Sequence, residues 1–282
     1  MPKPPYSSWM RYFSPTANHR RLGVVCLGVG VQQGLLPVVG PRALDHHVAV
    51  VVTRGRGWFS HGGRPPQPVA APALLWLVPG VEHHYGPDPE TGWDECFVDF
   101  AGRGVEAYTD LGYVTPDRPL VPLSGTEGVR HVVDGIVRAA RRGGPLLEVE
   151  AAAAVHGLLV ALRYARAEVS RHGDAVMDAL ARDALLPISV AEHAARLGIP
   201  LPELRAAVRR STGEGVKEYL LGIRLSRAKE LLARTDLPVA GIARRVGYED
   251  PAYFSRLFSR RVGMAPVRFR RQQSTLPRPQ GR

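Results

Sequence analysis

Ser189-Val-Ala-Glu-His-Ala-Ala-Arg-Leu-Gly198 returns forty-nine residues later as Pro238-Val-Ala-Gly-Ile-Ala-Arg-Arg-Val-Gly247. Val190 pairs with Val239, Ala191 with Ala240, Ala194 with Ala243, Arg196 with Arg245 and Gly198 with Gly247. Beyond the glycine the offset becomes 50: Leu204 pairs with Phe254, Val208 with Phe258 and Gly213 with Gly263. Each copy therefore predicts a short helix, a sharp turn at Gly198 or Gly247, and a second helix. Glycine tolerates positive φ and so ends the first helix. The small Ala191, Ala194 and Ala195 let a second helix cross closely, which is the geometry of a helix-turn-helix.

Between the copies, Val216, Tyr219, Leu220, Ile223 and Leu231 follow helical spacing and predict one linking helix over 216–234. Nineteen residues at ~1.5 Å each give roughly 28 Å. That length can hold two recognition helices about one duplex turn apart, roughly 34 Å, once side-chain reach is added. The second helices carry Arg205, Arg209 and Arg210, then Arg256, Arg260 and Arg261. A bundle that merely repeats needs neither the matched glycines nor this arginine.

Charge divides the chain at the same place. The sequence has 37 Lys+Arg and 26 Asp+Glu, for a net charge of +11. Residues 1–179 hold 17 of each sign, so the whole excess lies in 180–282. A basic module beside a neutral one implies that the first meets phosphates and the second does something else. A codon bias toward Arg over Lys would raise Arg everywhere and does not account for the neutral first half.

Upstream, residues 1–20 are rich in Pro and polar side chains and predict a loose arm. Short β-rich runs cut by Gly and Pro follow: Val48–Thr53, Gly57–Ser60, Leu74–Val78 and Cys96–Phe100. Such spacing predicts a small barrel or sandwich over 21–125. From 126 to 170 the breakers thin out and two helices are expected, 129–142 and 146–168. In the second, Leu147, Leu158 and Leu162 either form a dimer seam or cover the barrel. The helical domain runs over 171–273, with its motifs at about 189–211 and 238–261, and the tail 274–282 is expected to fray.

The C-terminal hundred residues resemble the AraC-type family of bacterial transcription regulators. The resemblance is carried by Gly-Ile-Arg-Leu-Ser-Arg-Ala-Lys-Glu-Leu-Leu over 222–232, by Ile242 through Phe258, by Gly263-Met-Ala-Pro266 and by Phe269-Arg270. Arg54-Gly-Arg-Gly57, Pro79–Gly86, Trp93 and Phe97–Phe100 are similar to the cupin-type effector domain of the arabinose-regulator branch. The expected architecture is thus α+β in two domains, a cupin-like β-barrel with helices followed by an all-α domain with two helix-turn-helix motifs. The family also implies a homodimer in the cytoplasm, at the nucleoid, acting on double-stranded promoter or operator DNA, with RNA polymerase as a further partner.

Family geometry places Pro202, Glu203, Arg205, Ala206 and Arg209 outward on the first recognition helix. On the second it places Asp250, Pro251, Ala252, Ser255, Arg256 and Arg260 outward. Base contacts are assigned to Glu203, Arg205, Ala252, Ser255 and Arg256, since Arg can bond guanine O6 and N7 together and Glu can accept from cytosine N4. Phosphate contacts are assigned to Arg209, Arg210, Lys217, Arg244 and Arg260. The family's effector contacts fall on Arg42, Tyr85, Glu95 and Phe97. The first motif departs from the pattern: Pro200-Leu-Pro202 replaces a Ser-led cap and Val208 replaces a Phe. That departure implies a first recognition helix that starts late, reads fewer bases or mainly anchors on the backbone.

Other classes fit less well. No Gly-rich phosphate loop, nucleophile elbow or metal-ligand spacing is present, so no catalytic residue, cofactor or metal is expected. Five of ten histidines lie between 46 and 84, but adjacent His46/His47 and His83/His84 would face opposite sides of a strand. Cys26 and Cys96 cannot form a disulfide framework. The apolar run Leu22–Val31 is too short for a membrane helix, and after Arg20-Arg21 it lacks the cleavage pattern of an export signal. The alternatives are a non-specific nucleoid packager, or a cupin enzyme fused to a DNA-binding domain.

Overall fold

A computed structural model describes residues 6–166 and 170–274. The first five residues of the expected arm, the stretch 167–169 and nearly all of the expected tail lie outside the described residues. The chain divides into two compact units, 1–171 and 172–282.

The N-terminal unit is built on antiparallel strands. The strands are β1 (Tyr6–Tyr12), β2 (Val25–Gly34), β3 (Val39–Arg42), β4 (His47–His61), β5 (Gln67–Ala70), β6 (Ala73–Leu77), β7 (His83–Pro87), β8 (Trp93–Ala101) and β9 (Leu120–Pro122). One layer runs β1-β2-β8-β4-β6-β9, while β5 and β7 pair with the far half of β4, and β3 pairs with β7. The long β4 thus belongs to both layers and closes them around one apolar interior. Tyr6–Tyr12 falls within the stretch read as an arm, yet it pairs residue by residue with Gly28–Gly34 of β2.

Short helices α1 (Ala17–Arg20) and α2 (Gly104–Asp110) fill connections, and α3 (Glu127–Arg142) and α4 (Leu147–Ala165) cover the outside of the sheet. Strand pleating explains the two cores. On β8, Cys96, Val98 and Phe100 face the helices, whereas Trp93 and Phe97 face the barrel interior. Leu147, Leu158 and Leu162 are buried in the first of these cores, so they cover the barrel, and the dimer-seam alternative for these three does not hold.

The C-terminal unit contains α5 (Ser170–Asp183), α6 (Val190–Arg196), α7 (Leu201–Thr212), α8 (Val216–Arg234), α9 (Val239–Arg245), α10 (Pro251–Val262) and α11 (Pro266–Ser274). Helix α8 occupies the span its apolar spacing predicts. Gly198 and Gly247 end the turns at φ 65° and 84°, a backbone region that costs other L-residues energy. Ser189 and Glu192 cap α6 reciprocally. One core gathers around α5, α6, α7 and the first half of α8, and another around the second half of α8, α9 and α10.

Candidate nucleic-acid interface and effector pocket

The second helices of the two motifs, α7 and α10, have twelve residues each and start at equivalent places, Leu201 and Pro251. The late start expected from Pro200 and Pro202 does not occur. A first-turn Pro lacks only an N–H that has no helical partner in any case. The two starts differ in capping instead. Asp250 accepts from the backbone N–H groups of Ala252 at 2.8 Å and Tyr253 at 3.1 Å, whereas Pro200 offers no side-chain cap. Those N–H donors hold the Asp250 carboxyl below its ordinary pKa.

Each helix turns one row inward. Leu204, Ala207 and Val208 are buried on α7, and Phe254 and Phe258 on α10. That leaves Glu203, Arg205, Arg209 and Arg210 exposed on α7, and Ala252, Arg256 and Arg260 exposed on α10, where they are spaced one helical turn apart. Lys217 at the start of α8 and Arg244 near the end of α9 are exposed too. Ser255 is half-buried, and its hydroxyl donates to the Pro251 carbonyl at 2.8 Å. Arg261 pairs with Glu218 of α8 at 2.7 Å, which separates it from the neighbouring Arg260. Tyr253, 50% exposed in the first turn of α10, escaped the sequence reading because an aromatic beside a cap reads as core.

Inside the barrel, a cavity of about 250 Å³ brings together Arg42, Tyr85 and Phe97. Glu95 stands on the same inward row of β8 but outside this lining, and borders a second cleft of about 240 Å³ with Arg54 and Arg130. Sequence reasoning missed Asp99, Gln32, His46 and the β1 residues Met10 and Tyr12, all of which line the first cavity. Parity could have found Asp99, because residues 95, 97 and 99 of one strand face the same way. Space for this row comes from β2. A Cβ on Gly28 would lie 2.6 Å from Asp99 Oδ2, and a Cβ on Gly30 would lie 2.3 Å from the Phe97 ring.

The electrostatics of the interior follow from burial. Burial lifts the Glu95 carboxyl to about 7, against the opposing pull of the Trp93 indole and Arg42. Glu95 Oε2 and Trp93 Nε1 nonetheless fall short of hydrogen-bond geometry. Burial lifts Asp99 to about 6, moderated by His46 and Arg42. Desolvation lowers His83 to about 4, and its Nε2 accepts from Arg42 Nε at 3.3 Å. The neighbouring histidines part at the start of the strand: His46, in the bend before β4, lines the cavity, and His47, the first residue of β4, stacks on Phe100 with ring centres 5.5 Å apart. Among the described residues, no three His, Cys, Asp or Glu side chains are grouped to hold a metal ion. No helix of the described residues is long and apolar enough to cross a membrane.

Comparison with known proteins matches the same two regions. Residues 35–159 match the family model of an AraC-like ligand binding domain, and residues 193–272 match a helix-turn-helix domain. The arabinose operon regulatory protein of Salmonella typhimurium is 28% identical over 249 residues, covering 82% of this chain and 85% of its own length. That of Escherichia coli K12 is 29% identical over 252 residues, covering 82% of each. The HTH-type transcriptional activator RhaR of an Enterobacter species is 46% identical over 67 residues, 24% of each chain. With an AraC-like ligand-binding domain and paired helix-turn-helix motifs in one polypeptide, this chain belongs to the AraC-type family of transcription regulators.

Proposed function

We propose that the barrel cavity takes a sugar or related metabolite and that its occupancy controls the binding of α7 and α10 to an operator. The observation that carries this reading is the cavity itself: an aromatic face at Phe97 with Arg42, Tyr85 and Asp99 around it. An aromatic face with a few convergent polar groups is what a polyhydroxylated ring requires. Relatives named for the arabinose operon support a sugar. The chain has no catalytic role in this reading and works in the cytoplasm, at the nucleoid. The effector acts through its differential affinity for two arrangements of the protein, with a coupling of about 1–3 kcal/mol.

In the same reading the active form is a homodimer that contacts RNA polymerase. Val149, Val160 and Tyr164 stay exposed on α4 although Leu158 and Leu162 are buried. They lie within a ~60° stripe at 100° per residue, a width suited to one partner helix. Sedimentation of the full chain as a monomer at tens of micromolar would count against the dimer, at roughly ten times a micromolar constant or more.

The test screens the full chain by thermal shift against pentoses, hexoses and their acids. A ligand of the native state raises the melting temperature by mass action. Substituting Arg42→Ala or Phe97→Ala should abolish the shift. DNA affinity and footprint must then change when the ligand is added; binding without that change sinks the coupling. Specific binding about 10³ or more tighter than to random duplex separates a regulator from a packager.

A further inference from the structure

Arg224 sits near the middle of α8, half-buried between the turn that follows α5 and the turn of the second motif. Its Nε donates to the Ala184 carbonyl at 2.7 Å and its Nη2 to the Leu186 carbonyl at 2.6 Å. Those carbonyls belong to the turn that leads from α5 into the first motif. On the other side, Nη1 reaches the Gly247 carbonyl at 3.5 Å, in the turn of the second motif. The guanidinium carbon also stands 5.3 Å from the centre of the Tyr248 ring. One planar fork therefore grips three carbonyls and one aromatic face, a set that the single ammonium of Lys cannot reproduce.

The two motifs have separate cores and share α8 as their common element, with Leu185 from the leading turn packed against the second core. A helix fixes the distance between the things it carries. It fixes their angle less well, because helices bend gently along their length. Contacts across the seam must hold that angle. The Arg261–Glu218 pair also crosses it, but both side chains are about half exposed, and such pairs contribute little. At Gly247 the seam is tight: a Cβ there would lie 2.7 Å from the Leu185 carbonyl oxygen and 3.1 Å from the Arg224 guanidinium carbon.

We propose that Arg224 is the positioning residue that keeps α7 and α10 in phase, so that both enter successive turns of one duplex together. This rests on the reading of α7 and α10 as paired recognition helices. Simultaneous engagement by two linked modules gains affinity only when the geometry permits it. Removing the pin should therefore reduce binding to the full site while leaving each half alone.

The experiment selects a duplex from random DNA with the full wild-type chain and maps the two halves by footprinting. Wild type, Arg224→Lys and Arg224→Leu are then titrated on three kinds of duplex: the selected one, versions with one half scrambled, and versions with one or two base pairs inserted between halves. Wild type should lose about tenfold or more on insertion. The variants should bind the selected duplex about tenfold or more weakly, bind half-scrambled duplexes as wild type does, and tolerate insertion with a loss under about threefold. Circular dichroism and melting identify folded variants. Folded variants with wild-type affinity and spacing penalty would overturn the pin, as would equal losses on full and half sites. Loss of folding in both variants would also overturn it, in favour of a purely structural role. A wild type indifferent to insertion, or selecting no sequence, would overturn the paired-helix reading and the pin with it.

Discussion

The Phe97 ring lies against the backbone of Gly30, so close that a Cβ at residue 30 would come within 2.3 Å of it. The two residues are register partners on β8 and β2. Gly30→Ala should push the ring into the cavity. The expected outcome is loss of effector binding with a destabilisation of about 1–3 kcal/mol, the usual cost of overpacking. Calorimetric titration with any sugar found by thermal shift checks the first part, and urea unfolding checks the second. Unchanged binding would mean that Phe97 does not border the ligand.

The two inward carboxyls make a prediction about pH. Glu95 and Asp99 are raised to about 7 and about 6 in the folded chain, above ordinary values of 4.5 and 3.8. The folded state then holds protons that the unfolded state releases. Their contribution is present below about pH 4 and fades as pH rises to about 7, by a few kcal/mol in all. His83, lowered to about 4 from 6.5, works in the opposite sense over the same range. The measurement is therefore a difference: melting of wild type against Glu95→Gln with Asp99→Asn, from pH 4 to 8. The double variant should gain on wild type as pH rises, and parallel curves would show that neither carboxyl titrates on folding.

On α10 two arginines one turn apart should behave differently. Arg256→Ala should cost ~1–3 kcal/mol at the cognate site and relax one base position. Arg260→Ala should weaken binding evenly across sequences and lower the slope of log affinity against log salt by about 1. Gel-shift titrations on a panel of point-mutated sites over a salt series read both. A sequence-dependent loss for Arg260 alone would exchange the two roles.

Leu162 is fully buried between α4 and the barrel. Leu162→Ala should cost about 2–5 kcal/mol through lost burial and the cavity left behind. Oligomeric state should not change, because the residue faces its own domain. Tyr164→Ala is the reciprocal case, with little effect on unfolding in urea and a weakened dimer by sedimentation. Reversal of the two results would reinstate Leu162 as a seam.

How much of this was legible depended on how narrowly physics restricts each residue. The helix-turn-helix pairs were plain because a turn at Gly198 and Gly247 admits almost nothing else, and the close crossing needs Ala194 and Ala243. The barrel was legible as strands but not as pairings, since partners such as Gly28 and Asp99 lie 71 positions apart. Tyr6–Tyr12 was hidden by the prolines before it, as edge strands carry weak signals of their own. Asp99 was passed over because an acid in a strand reads as surface until the neighbouring strand is seen to be glycine. Arg224 stood in the quoted motif without a role, because the carbonyls it grips have no signature in sequence.

Helix α8 is shared by two cores, with Val216 and Leu220 in one and Leu225, Ala228, Leu231 and Leu232 in the other. It therefore acts as a screw thread between them. Deleting a single residue from it would draw the motifs together by only ~1.5 Å but rotate one against the other by about 100°. The recognition surfaces are free to change side chain by side chain, as the differences between α7 and α10 already show. The thread between them is not free to change in length, and for this domain an insertion or deletion within 216–234 is a far graver change than any substitution on its surface.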